Sequence, residues 1–343
     1  MYKFFRPLLF CLPPEIAHTV TLNLLKFATK LKLICLFFPR LTPSPCNLFG
    51  LQFKTRIGIA AGLDKNGDYL DCLAALGVAF IEVGAVTPKP QVGNPKPRLF
   101  RLLKEQALIN RMGFNNKGVD YLVNKLKQRN STCIVGVNLG KNKETPLAQA
   151  ADDYIYCLEK VFLYADFCTI NISSPNTPDL QKLQTPQYLE NLLTAIKKSR
   201  DDLTQQHQKK LPLLVKIAPD LVDAQLYALV DMIDKLGLEG IIATNTTNQR
   251  PDVTNNSLAT EIGGLSGKPI AGLSYEMLVK IRQRNKNLPI ISVGGISSLA
   301  DAEERFQAGA DLIQLYTGLI YKGPGLLRRL IRLINNTTNQ RDD

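Results

Sequence analysis

Phe167-Cys-Thr-Ile-Asn-Ile-Ser173 begins as an apolar, partly β-branched run and closes on residues suited to binding. A short run of this kind, buried on both faces, marks a strand of a parallel sheet. Seven other stretches read the same way: Arg56–Gly62, Phe80–Val86, Cys133–Gly140, Leu213–Pro219, Gly240–Thr246, Ile290–Ile296 and Leu312–Gly318. Helical segments alternate with them and carry their own punctuation. Asp68 to Leu76 stops at Gly77, and Ser298-x-x-Asp301 opens a helix that closes near Gly309. Eight strands alternating with helices predict an α/β protein, a (β/α)8 TIM barrel rather than an open doubly wound sheet.

The strand ends carry the chemistry. The first run reaches Asp64-Lys65, the third Asn138, the fourth Asn171, and the fifth holds Lys216. The sixth ends in Thr244-Asn245-Thr246, the seventh in Gly294-Gly295 and the eighth in Tyr316-Thr317. A barrel gathers these ends at one mouth, where such proteins keep their active sites. One polar strand end is ordinary, because the chain is leaving the core; seven of eight point to a site. Gly263-Gly-Leu-Ser-Gly267, Gly294-Gly295 and Tyr316-Thr317-Gly318 follow the last three strands. Glycines let backbone N–H groups approach an anion, so these turns suit a phosphorylated cofactor. Lys216 lies inside Leu-Leu-Val-Lys-Ile-Ala and needs an anionic partner. That partner is a structural carboxylate, or a flavin that gains negative charge on reduction; a Schiff-base lysine is the third reading.

Residues 1–50 read as a separate helical extension, and residues 51–343 as the barrel domain. Pro13-Pro14-Glu15 opens a helix, with Ile16, Ala17, Val20, Leu24, Phe27, Ala28 and Leu31 at helical spacing. A second apolar run, Leu33 to Phe38, stops at Pro39, and Leu41-Thr-Pro-Ser-Pro45 reads as a linker. Such an extension caps the barrel, or lies in a membrane interface with its apolar face in lipid. Lys3, Arg6, Lys26, Lys30, Lys32 and Arg40 oppose Glu15 alone, and each cation near an anionic leaflet is worth about 1 kcal/mol. Leu22 to Phe38 is interrupted by three lysines and falls short of a spanning helix, and Leu8 to Leu12 is too short for a signal-peptide core. The chain's formal charge of +12 suits anionic membranes, nucleic acid or anionic small molecules without choosing among them. Its seven cysteines show no Cys-x-x-Cys spacing and its two histidines, His18 and His207, stand far apart. A zinc site and a secreted disulfide framework are therefore not expected, and no metal is.

Asn171-Ile-Ser-Ser-Pro-Asn176 makes the barrel specific. With it come Ala60-Ala-Gly-Leu-Asp-Lys65, Pro97-Arg-Leu-Phe-Arg101, Asn110-Arg-Met-Gly-Phe-Asn115, Ala243-Thr-Asn-Thr-Thr247, Gly263-Gly-Leu-Ser-Gly-Lys-Pro269 and Leu319-Ile-Tyr-Lys-Gly-Pro324. In this order the chain resembles the class 2, quinone-dependent and membrane-associated dihydroorotate dehydrogenases. The resemblance implies oxidation of dihydroorotate to orotate in pyrimidine biosynthesis, with one FMN per chain and a membrane quinone as acceptor. It implies FMN contacts from Ala61, Gly62, Leu63, Asp64, Lys65, Ala85, Asn138, Asn171, Lys216, Thr244, Gly267, Gly295, Tyr316 and Thr317. Substrate contacts would come from Lys65, Asn110, Arg111, Met112, Gly113, Phe114, Asn171, Asn176, Asn245 and Thr246.

By the same resemblance, Ser174 removes the C5 proton while hydride leaves C6 for the flavin. Serine there, where the soluble class has cysteine, and the helical extension favour the quinone-linked class. The extension would admit quinone past His18 and Arg101. A monomer held peripherally on the cytoplasmic face of the cell membrane, with no nucleic-acid partner, is the corresponding expectation. Two positions depart from the family pattern. Ala85 stands where threonine is usual, leaving only backbone contact to FMN, and Asp179 replaces a glycine in the loop over the site.

Three rivals remain at this level. A tRNA dihydrouridine synthase shares the barrel and suits the +12 charge, but that family uses a cysteine acid and a further RNA-binding domain, whereas this sequence has Ser174 and runs about twenty residues past the last strand. A membrane scaffold without catalysis would be colourless. The same dehydrogenase could use a soluble acceptor.

Overall fold

The computed structural model describes residues 2–34, 44–177, 179–253 and 256–339. Two helices, α1 (Tyr2–Cys11) and α2 (Pro14–Lys30), precede a hairpin of β1 (Cys46–Leu48) and β2 (Leu51–Phe53). The chain then forms β3 (Ile57–Ile59) and β4 (Phe80–Val86), and leaves the barrel for β5 (Leu99–Leu102) and β6 (Ala107–Asn110). It continues through β7 (Ile134–Leu139), β8 (Phe167–Asn171), β9 (Leu213–Ile217) and β10 (Gly240–Ala243), makes a second excursion in β11 (Gly264–Gly267), and ends with β12 (Ile290–Val293) and β13 (Leu312–Leu315). Strands β3, β4, β7, β8, β9, β10, β12 and β13 close into a parallel barrel. Each of the eight runs read from the sequence supplies one of them, so the expected α/β barrel is the fold observed.

Two packed layers hold the barrel. Outside, β-branched and leucine side chains meet the surrounding helices in one continuous core. Inside, Phe80, Phe167, Leu214, Ile242, Ile291 and Leu312 fill the lower half. The rings need room. A Cβ on Gly58 would stand 2.4 Å from the Phe80 ring, and one on Gly136 would stand 2.0 Å from Phe167. The hairpin closes the floor by setting Phe53 against Phe80 at 5.5 Å between ring centroids. The upper interior is polar.

The helix expected after Pro13 is present as α2, with proline in its first turn. The Ser298 and Asp301 signature forms a reciprocal capping box at the start of Leu299–Gln307. Helix α1, which contains Pro7, was not foreseen. Most of the second apolar run (Leu33 to Phe38) and the first part of the expected linker lie outside the described residues. Also unforeseen was the sheet of β5, β6 and β11, which brings Asn110 opposite Gly264.

The two N-terminal helices are tied to the barrel's carboxyl rim. Tyr2 donates to the Ile320 carbonyl, and Arg6 donates to that of Tyr321 at 3.0 Å. Arg101 donates to the carbonyls of Phe10, at 2.9 Å, and Leu12 where α1 ends. On α2, Glu15 receives Arg98 through two bonds of 3.0 Å each. Forked pairs of this geometry are among the stronger ion pairs. The opposite faces are open, with Phe4, Phe5, Leu8, Ile16, Leu24, Phe27 and Leu31 exposed. Among the described residues no helix is long and apolar enough to cross a membrane.

Candidate active site

A cavity opens where the barrel strands end. Its wall includes Ala61, Gly62, Lys65, Ala85, Asn171, Lys216, Thr244, Gly267, Gly295, Tyr316 and Thr317 from the expected cofactor set. It also includes Asn110, Met112, Gly113, Phe114, Asn176, Asn245 and Thr246 from the expected substrate set, together with Ser174. Six of the eight strand runs read from the sequence extend two or three residues beyond the paired strands. The extra residues of the first, sixth, seventh and eighth runs leave the ladder and turn onto this wall.

Four expected contacts stand elsewhere. Leu63 lines a second, apolar slot. Asp64 turns away to accept the N–H groups of Asp68 at 3.0 Å and Tyr69 at 2.7 Å. Arg111 pairs with Glu261 and lies over the Phe100 ring. Asn138 is fully buried beneath the wall. Residues that the sequence reading did not single out also line the cavity, among them Leu99, Leu108, Ser266, Ile270 and Gln314.

Below the cavity runs a directional polar chain. Asn138 donates its amide to Glu82 Oε1 at 2.7 Å, and its oxygen accepts from the Asn171 amide at 2.8 Å. Asn171 Oδ1 accepts from Ser173 Oγ at 3.0 Å, which in turn accepts from Asn245 at 3.0 Å. Glu82 Oε2 receives Gln314 at 2.9 Å and Lys216 at 3.5 Å. Burial alone would raise the Glu82 carboxyl, but the Lys216 charge and the amide donors hold it below the ordinary carboxylate range. An ionised carboxylate only accepts, so it dictates which way each amide along the chain points.

The wall above is prepared for a polar ligand. Gln314 Oε1 and Thr246 Oγ1 are buried and unpartnered within the protein, and both residues line the cavity. Such atoms are costly unless a ligand or water meets them. Lys65 donates to Asn115 at 2.5 Å, while burial, and then the Arg98 charge, push its ammonium down to about 7. Ser174 Oγ accepts only the Asn176 N–H, at 3.3 Å, with no acid or imidazole bonded to it among the described residues. Behind the Gly294-Gly295 turn, buried Arg305 donates to the carbonyls of Ala271 and Gly294 at 2.7 and 3.1 Å. The turn is thereby fixed with its glycines toward the cavity.

The apolar slot lies between α1, α2 and the rim. His18 and Arg101 both line it, with Ala17, Thr21, Leu22 and Leu25. Burial first, and then the Lys65 charge, push the His18 imidazole down to about 4, so it is neutral at physiological pH. Leu99, Leu108 and Tyr316 face both slot and cavity and form the partition between them.

Comparison with known proteins gives this arrangement a family. The dihydroorotate dehydrogenase family model matches residues 45–337. A relative named dihydroorotate dehydrogenase (quinone), from Legionella pneumophila strain Corby, is 50% identical over 98% of this chain and 99% of its own. One of the same name from Coxiella burnetii is 48% identical over 100% of this chain and 99% of its own. The crystal structure of DHODH from Eimeria tenella in complex with ferulenol superposes with a TM-score of 0.85 at 36% identity, covering 96% of this chain and 92% of that one. The chain belongs to the dihydroorotate dehydrogenase family. Asp179 stands in the loop that follows β8. Its φ of 58° lies in the left-handed region, which aspartate tolerates better than most side chains, and it pairs with Lys182 at 2.8 Å.

The glycine turn gives a direct test. Gly295 has φ +77°, and an added Cβ would stand 2.4 Å from the Ala271 backbone, whereas one on Gly272 would meet nothing within 4 Å. Gly295→Ala is expected to lower the unfolding free energy by about 1–3 kcal/mol. Gly272→Ala should be neutral or stabilising by up to about 1 kcal/mol. Denaturant unfolding of the two variants side by side measures both.

Proposed function

We propose that this chain oxidises dihydroorotate to orotate in pyrimidine synthesis and passes the electrons through FMN to a membrane quinone. The observation that carries the reading is the pairing of two unlike compartments across one partition. A polar cavity suits the pyrimidine and a flavin, and an apolar slot suits a quinone ring.

The residues present fit FMN. The unpartnered Gln314 and Thr246 oxygens call for a ligand with N–H or O–H groups, and Gly267, Gly294, Gly295 and Gly318 put bare backbone on the cavity wall, where N–H groups can meet a phosphate. Gly267, Gly295 and Thr317 would hold the phosphate end, and Lys216, Thr244 and Asn171 the ring. When bound, FMN supplies an acceptor for the hydride from C6 of the substrate and a donor to quinone.

The protein's own work is to bind, orient and take a proton. Asn110, Asn176, Asn245 and Thr246 offer both donors and acceptors to a pyrimidine ring, and Lys65 meets its carboxylate. Ser174 Oγ takes the C5 proton and relays it to solvent. Serine is a weak base with no acid or imidazole bonded to it, so placement contributes more than basicity. Neutral His18 and the Arg101 donors would meet the quinone oxygens. The exposed apolar residues of α1 and α2, flanked by Lys3, Arg6, Lys26 and Lys30, would seat the slot's opening on an anionic membrane surface without spanning it.

A visible spectrum of the purified protein tests this reading. A flavin band should bleach on anaerobic addition of dihydroorotate and return with a short-chain quinone. A band that ignores dihydroorotate, or no band after addition of FMN, contradicts the assignment. Lys65 provides a second test. Above pH 7 the ammonium has largely lost its proton, and a bound carboxylate restores it. Orotate binding to the oxidised holoenzyme at pH 8 should take up a proton and weaken, by up to about tenfold per pH unit, as pH rises. Calorimetry in two buffers of different ionisation enthalpy reads the uptake; equal heats contradict it.

A further inference from the structure

Glu82 lies in the middle of β4, in Phe-Ile-Glu-Val-Gly-Ala-Val, and is wholly buried. A carboxylate in such a run is costly, and structural convenience does not explain it. Its second oxygen faces Lys216 at 3.5 Å, the one ion pair that Lys216 makes among the described residues. The other side chains bonded to Glu82, Asn138 and Gln314, are neutral, as is neighbouring Thr169. Across β9, the registers set Lys216 beside Asn171 on one side and Ile242 on the other, both uncharged. The remaining titratable groups on the cavity wall answer elsewhere. Lys65 bonds Asn115 and feels Arg98 and Glu15, and Tyr316 donates to the Gly62 carbonyl at 3.4 Å. Glu82 is thus the counter-charge of Lys216 and the fixed end of the amide chain that reaches Asn245.

We propose that Glu82 is a positioning residue for the redox reaction: its carboxylate keeps Lys216 charged before electrons arrive, so that the flavin meets a standing cation. Without that counter-charge, a buried lysine beside an oxidised, neutral flavin sheds its proton, because a lone ammonium is poorly solvated there. Reduction by two electrons then makes the flavin anionic, and Lys216 must recover a proton from solvent in the same step. The wild-type protein is spared that uptake. The inference rests on the flavin reading of the cavity, and its test separates the two.

The test is the pH dependence of the flavin midpoint potential in wild-type holoenzyme and Glu82→Gln, measured from pH 7 to 9. The variant keeps the side chain's size and its capacity to accept from Asn138, but not its charge. Its line should be steeper than the wild type's by one proton per two electrons, since Lys65 contributes equally to both. A flavin-loaded variant whose line runs parallel to the wild type's overturns the inference, whatever happens to turnover. A wild-type protein without flavin defeats the cofactor reading instead. If the variant retains too little flavin to titrate, reduced-minus-oxidised infrared spectra of wild-type holoenzyme read the same pair. Glu82 ionised in both states gives no protonated-carboxyl band from the buried pair, and such a band, shifted to lower frequency by isotopic exchange of its proton, overturns the inference.

Discussion

Closure of eight parallel strands is the constraint from which the site follows. Parallel strands end at the same rim, so Asn171, Lys216, Thr244 and Tyr316, dispersed along the chain, meet without any local sequence tie. Closure also divides the interior. Below, aromatic and aliphatic side chains fill the barrel and the Phe53 hairpin seals it. Above, the same inward positions carry Glu82, Asn138, Lys216 and Gln314. Polar groups in so dry a place must satisfy one another, and they do so as a chain with one direction. The dry floor rigidifies that chain, and the chain presents its unused donors and acceptors upward.

The second compartment owes its existence to the N-terminal helices. The barrel rim alone offers Leu99, Leu108 and Tyr316 to solvent, and α1 and α2 roof them over to make the slot. Their attachment is both polar and apolar: Tyr2, Arg6 and Arg101 reach backbone carbonyls and Glu15 holds Arg98, while Leu22 joins the barrel's core and Phe10 packs on Tyr321. Arg98 also donates to the carbonyls of Val92 and Asn94, and Asn94 reaches the backbone of Asn176 at 3.3 Å. One hydrogen-bonded path therefore joins the roof of the slot to the wall of the cavity. The apolar face left outside is the surface on which the proposed membrane contact rests.

The barrel was legible because each strand is buried on both faces and so reads as an unbroken apolar run. The cavity was legible because the polar ends of those runs had nowhere to go but the mouth. The three-residue strands of the hairpin are too short for periodicity to show, and β5, β6 and β11 lay within motifs read for their chemistry rather than their pairing. Helix α1 was obscured by Pro7. Glu82 was missed although the signal was present. Lys216 was singled out as a charge inside an apolar strand, and the same argument applied to Phe80–Val86 finds its partner. Arg111 and Asp64 fell inside recognisable motifs, but a motif does not say which way a side chain turns.

The central claim is that one cofactor site serves two doors. The most direct measurement is stopped-flow spectroscopy of both half-reactions in Thr21→Phe, which narrows the slot without touching the cavity. The account predicts that reduction by dihydroorotate keeps its wild-type rate while reoxidation by quinone slows by about tenfold or more. Equal slowing of both halves, or of neither, would contradict it.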